Sequence, residues 1–198
     1  RCAMFGINSL IAAGVCAWFL VPMFNGLSSI SATSDIFPSS QYYAFNFAEF
    51  WAGHFSGVVP TVLSSDVSNA PNIACGVLSI LAFWLFIFDE KLSLKTKFAY
   101  LGGLVVLFIS FYIGQIDFIW HAFHVPNDLP FRYSFVYSFL FVIIAAYGLR
   151  GIKDIKPRYL IATAVMMGLS LLLLYLYSLK FENITGKMVL LNVVVGII

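Results

Sequence analysis

The chain has 198 residues, of which 61% are hydrophobic, 18% aromatic and only 10% charged, with a formal net charge of +2. Globular chains are about 25% charged, so this balance excludes a soluble domain and points to an all-α, polytopic transmembrane helix bundle. No basic cluster with interleaved aromatics stands outside the short loops, which excludes nucleic acid as a partner and leaves the lipid bilayer as the first one.

In chain order, the first apolar span is expected at about residues 5–27. Gly6 and Gly14 allow close helix packing there, and Pro22 allows a kink near the far end. Residues 28–72 form a long connection without Lys or Arg. Within it, the run QYYAFNFAEFWAGHFSG, residues 41–57, holds seven aromatics. Trp and Tyr favour the membrane interface, so this run predicts a helix lying in the interface plane with its aromatic side towards lipid. It lacks a basic face and is therefore expected to dock onto the protein as well. Residues 58–72, rich in Pro, Ser and Asn, read as loop.

Further spans are expected at about 73–88, 98–116, 133–149 and 159–178, with a truncated sixth at 188–198 that is too short to cross a bilayer. The loops between them are DEKLSLKTK (89–97), a polar stretch (117–132), RGIKDIKPR (150–158) and a turn (179–187). The whole chain thus reads as one transmembrane domain, an internal piece of a longer protein, and its opening run lacks the cleavage site of a signal peptide. Cys2, Cys16 and Cys75 form no C-x-x-C pair and read as small core residues.

Orientation follows from the basic residues. Placing Arg1 and loops 89–97 and 150–158 in the cytoplasm puts eight Lys and Arg on that side and three on the other, with strict alternation. The two long polar loops then share the outer face, together with His54, Asp66, His121, His124 and Arg132.

The stretch DFIWHAFHVPNDLPFRYS, residues 117–134, is the most polar interruption of the apolar pattern. Ionisable groups near lipid are costly and mark functional positions. Arg132 is permanently charged and suited to bidentate contact with a lipid phosphate; the alternative is an interface anchor that snorkels. Asp117, His121 and His124 fall on one face if the third span continues as a helix. That face suits a general base, a phosphate hydrogen-bond donor or part of a divalent-metal site, or simply a polar helix end in water. No metal site is assigned from it. Asn127 and Asp128 lie between Pro126 and Pro130 and suit a rigid turn. His54, Asp66, Asp117 and Asp128 are possible further contacts, whereas loop carboxylates such as Asp35 and Glu49 read as solvated. Nucleotide-binding loops, G-x-S-x-G and H-E-x-x-H are absent, so an activated sugar used here would be lipid-linked.

The run IWHAFHVPNDLPFRYSFVYSF, residues 119–139, resembles the signature region of the YfhO family of bacterial multi-pass membrane proteins. The pattern W-H-x-F-x-x-P-N-x-x-P-x-R-Y-S-F is met by Trp120, His121, Phe123, Pro126, Asn127, Pro130, Arg132, Tyr133, Ser134 and Phe135. The Gly6–Gly14 run ahead of Pro22 and the Pro71–Gly76 segment are also similar. The resemblance implies a GT-C-like glycosyltransferase fold. It implies transfer of sugar from an undecaprenyl-phosphate donor to an envelope polymer such as teichoic acid, on the outer face of a Gram-positive cell membrane. It further implies headgroup contacts from His121, Asn127, Arg132 and Tyr133, with His124 and Asp128 matched less closely. The catalytic carboxylate that such enzymes carry in their first outer loop is expected outside this sequence, and Asp66 does not replace it. The alternatives are a polyprenyl-lipid flippase, which needs more polar groups deep in the spans, and a non-catalytic subunit of an envelope complex.

Overall fold

The computed structural model describes residues 2–28, 45–63, 70–124, 126, 128–179 and 186–197. Asp66, Asn127 and the first four residues of the aromatic run 41–57 lie outside the described residues. Every regular element among the described residues is a helix, and a single antiparallel bridge joins Leu63 to Asp128.

The first expected span is two helices, α1 (Cys2–Val15) and α2 (Ala17–Ser28), bent by 72°. The bend falls at Cys16 and not at Pro22. Phe19 N–H and Leu20 N–H both donate to the Cys16 carbonyl at 3.0 Å, so a new helix starts there. Pro22 then sits just past the first turn of α2, where its missing N–H orphans only the Trp18 carbonyl. The side chains of this pair are largely exposed, Trp18 at 80%.

The aromatic run contains α3 (Phe47–Ala52), only six residues long. Its start is written in Asn46 and Glu49: Glu49 N–H donates to Asn46 Oδ1 at 2.9 Å and Asn46 N–H donates to Glu49 Oε2 at 2.7 Å, a capping box. The expected lipid-facing aromatic side is instead turned mostly inward. Phe45, Phe50 and Phe55 are buried, and Phe50 packs edge-on against Phe108 and Tyr137 with centroids 4.7 and 5.4 Å away. Phe47 remains exposed. Rings that find ring partners such as Phe108 and Tyr137 bury more apolar area than rings laid on a surface, which explains the inward turn.

Next come α4 (Val77–Phe88), α5 (Leu94–Tyr112), α6 (Gly114–Trp120), α7 (Ser134–Arg150), α8 (Pro157–Ser178) and α9 (Gly186–Ile197). The expected helix through residue 116 breaks at Ile113, which adopts extended backbone at φ −104° and ψ 109°. By length and composition α5 and α8 can each cross a membrane, as can α1 and α2 counted as one bent span, whereas α4, α7 and α9 are shorter. A crossing takes about 20 apolar residues.

The core forms where α4 meets α7 and α8. Parallel helices α4 and α7 touch along their length, from Cys75 beside the Ser138 carbonyl at one end to Asp89 beside Gly151 at the other. Gly148 of α7 sits directly on the backbone of α4. At this basic end Glu90 accepts hydrogen bonds from Lys156, Arg158 and Tyr159. These bonds, that from Lys156 foremost, lower the Glu90 pKa to about 2. Loops 89–97 and 150–158 are therefore tied together, as loops sharing one face must be.

At the opposite end His54 is fully buried. Its Nδ1–H donates to the Phe50 and Trp51 carbonyls, both at 3.1 Å, and its Nε2 accepts from the Tyr137 hydroxyl at 3.0 Å. This is the geometry of a neutral imidazole pinning α3 to α7. Tyr137→Phe leaves Nε2 buried without a donor, and the expected outcome is a loss of about 1–3 kcal/mol, read as a lower thermal midpoint.

Candidate functional site

The polar stretch is assembled where the end of α6 meets the residues that lead into α7, with Trp120 and His121 against Tyr133. Asp117 lies on α6, 3% exposed, with its Oδ1 3.4 Å from His121 Nδ1. His121 is the residue that ends α6, and its Nδ1–H donates to the Asp117 carbonyl at 2.9 Å. Burial alone would lower the His121 pKa. The hydrogen bonds and charge of Asp117 reverse that, so the net direction is upward despite opposition from Arg132.

The helical face expected to hold Asp117, His121 and His124 forms only for the first two. The helix stops at Trp120, and Ala122 and Phe123 turn left-handed at φ 56° and 63°, which carries His124 away. Among the described residues no group of three His, Cys, Asp or Glu side chains is arranged to hold a metal ion.

Among the described residues, four non-glycine positions have positive φ, namely Ala122, Phe123, Leu129 and Phe131, and all lie in this loop. Each costs roughly 1–2 kcal/mol relative to an ordinary conformation. Strain of this kind persists only where the surroundings over-determine it. Here Phe131 is buried against Phe45 and Phe111, with centroids 5.9 and 5.7 Å away. The Tyr133 ring stacks on Trp120 and Phe111 at 4.9 and 5.0 Å, and its hydroxyl donates to the Ser110 carbonyl at 3.0 Å. Leu129 N–H donates to the Val62 carbonyl at 2.7 Å, tying this loop to the long loop. Ala122 is exposed, so Ala122→Gly relieves strain without loss of packing. The expected gain is about 0.5–1 kcal/mol, seen as a raised thermal midpoint.

Between the buried rings of Phe131 and Tyr133, Arg132 points outward and is exposed. Its backbone N–H faces His121 Nε2 at 3.4 Å, and its Nη2 donates to the Asp128 carbonyl at 3.3 Å. The structure therefore brings His121, Asp128 and Arg132 together. It places Tyr133 in the core as the anchor of the loop, with its hydroxyl committed to Ser110. His124 is half-buried and Asp128 is exposed, while His54 is enclosed in the core. Sequence reasoning missed the supporting part of Ser110 and the pairing of residues 62 and 63 with the second loop. Neither carries a local signal, because both depend on contacts between distant parts of the chain.

These features define a helical membrane protein with an arginine held outward on a braced loop at one end of its bundle. The family described as Bacterial membrane protein YfhO matches residues 1–198, and the chain belongs to that family. No curated protein and no solved structure matches it.

Proposed function

We propose that this chain is part of a multi-pass bacterial cell-membrane glycosyltransferase of GT-C type, which moves a sugar from an undecaprenyl-phosphate donor to an envelope glycopolymer. The observation that carries the reading is Arg132. A guanidinium stands exposed while the residues on both sides of it are buried, so its position is fixed before any ligand arrives. A fixed cation at that place suits the charge that builds on a phosphate leaving group as the glycosidic bond breaks. His121, raised in pKa beside Asp117, adds a donor when protonated. Asn127, a neighbour of Asp128 in the sequence of this loop, is a further proposed headgroup contact.

An apolar groove on the flank of α3 supports a lipid-linked donor. Phe47 and Trp51 face Trp84, Met166, Leu169 and Leu173 across it, walls that match an isoprenoid chain. A hydroxyl oxygen of the polymer acceptor bonds to the anomeric carbon as the bond from that carbon to the phosphate oxygen breaks; the polyprenyl phosphate departs onto Arg132 and takes up the hydroxyl proton.

The test is reconstitution of the full-length protein in vesicles with undecaprenyl-phosphate-linked sugar and teichoic acid. The expected result is label on the polymer. Movement of donor lipid between leaflets with no transfer would replace this reading with a flippase.

A further inference from the structure

On the opposite flank of α3 from Phe47 and Trp51 lies a different kind of space. A cavity of about 210 Å³ opens between Glu49, the extended segments 58–61 and 70–74, and Tyr177 near the end of α8. Its walls are locked together. Thr61 N–H donates to Asn72 Oδ1 at 2.9 Å, Asn72 Nδ2 donates to the Thr61 carbonyl at 2.8 Å, and Thr61 Oγ1 donates to the Ala70 carbonyl at 3.0 Å. Glu49 and Tyr177 both line the cavity, together with Pro60 and Pro71.

Three properties select a ligand. The volume lies below the roughly 300–1,000 Å³ of sites for drug-sized molecules, so there is room for one ring and not for a nucleotide. The lining has a carboxylate and no Lys, Arg or His, which disfavours phosphate and other anions. The carboxylate and the phenol accept hydroxyl hydrogens, and the aliphatic proline rings offer apolar surface to C–H groups.

We infer that this cavity binds a single uncharged sugar or polyol unit, on the acceptor side of the proposed transfer. The acceptor role rests on that proposed reaction; the binding does not. The cavity wall is bonded directly to the arginine loop. Next to Thr61, the Val62 carbonyl accepts from Leu129 N–H, and Leu63 bridges Asp128, whose carbonyl accepts from Arg132. One extended segment thus links a cavity lined by a carboxylate to the loop that carries Arg132.

The experiment is saturation-transfer NMR on the full-length protein in nanodiscs. The probes are methyl glucoside, methyl N-acetylglucosaminide and glycerol. Saturable transfer to at least one probe is expected. Ala74→Phe, a substitution at an exposed lining position, should abolish it. Glu49→Gln should weaken it at least fivefold while keeping the reach back to Asn46 N–H that caps α3. Gly102→Ala, on the exposed face of α5 with nothing within 4 Å, should leave it unchanged. Thermal unfolding of each variant confirms that it is folded. No saturable signal from any probe, a signal unaffected by Ala74→Phe, or competition by inorganic phosphate would overturn the inference. Binding by a protein that transfers no sugar would retain the cavity and remove the proposed reaction.

Discussion

Arg132→Ala is expected to lower sugar transfer by the full-length protein about 10²- to 10³-fold, the loss that follows removal of one preorganised donor from a developing oxyanion. The loss should fall on kcat more than on KM, because phosphate charge grows in the transition state and the lipid chain holds the substrate in either case. Arg132→Lys should recover part of the rate. An ammonium restores the charge but not the planar fork, nor the Nη2 bond to the Asp128 carbonyl at 3.3 Å. Folding should be untouched, since the side chain is exposed and the loop is braced by Phe131 and Tyr133. A rate for Arg132→Ala within threefold of the parent protein, measured at saturating donor, would remove Arg132 from the site.

Gly148→Ala should destabilise the bundle by more than about 3 kcal/mol, beyond the ordinary range for overpacking. A Cβ at this position would stand 2.0 Å from the Ala82 carbonyl oxygen and 2.8 Å from the Phe86 nitrogen. Both are backbone atoms of α4, so no rotamer change relieves the clash and the two helices must separate. Ile80, Ala82 and Phe86 of α4, with Ile144 and Ala145 of α7, are buried in that seam. Two other glycines calibrate the measurement. At Gly151 a Cβ crowds the Asp89 side chain, at 2.5 Å, and is in ordinary contact with the Gly148 carbonyl at 3.8 Å, so a moderate loss is expected. At Gly102 nothing lies within 4 Å, and alanine should be neutral or stabilising by about 0.5–1 kcal/mol through helix propensity. Thermal midpoints of the three purified variants in one detergent should rank Gly102→Ala, Gly151→Ala, Gly148→Ala from highest to lowest.

The apolar composition and its interruptions made the helical class and the helix locations legible in the sequence. So did the special character of residues 117–134, since a lone arginine, two histidines and two prolines between apolar segments are visible without coordinates. Four things were not. The bend at Cys16 was hidden because Pro22 is the conspicuous breaker, while the chain answers it by starting a helix five residues earlier. The place of His124 was hidden because periodicity carries no notice that a helix will stop at Trp120 and turn left-handed at Ala122. Tyr133 matched a motif position and suggested ligand contact, yet its ring and hydroxyl face Trp120, Phe111 and Ser110. Glu49 read as a solvated loop carboxylate, and only the packing of α3 against α8 places it in a cavity wall with Tyr177.

The unequal lengths of α4 and α8 carry a consequence for depth. At the basic end they start level, with Phe88 stacked on Tyr159. At the other end Val77, the first residue of α4, meets Gly196, which also lies against Met167, the midpoint of α8. The remaining half of α8, about 16 Å of rise, runs on beside α3, the extended segments and α9. An α8 of 22 residues rises about 33 Å, close to the roughly 30 Å of a hydrocarbon layer. The described segments 45–63 and 70–76 therefore stand within the depth that a membrane-crossing α8 covers, and not beyond its end. Irregular backbone survives at that level only where protein satisfies it, and it does so here. The His54 carbonyl takes both Cys75 N–H and Gly76 N–H at 3.0 Å, and Asn192 of α9 clasps the backbone of Ser56 from both sides. A molecule anchored in the bilayer would meet this recess at its own level, without having to rise out of the membrane to be handled.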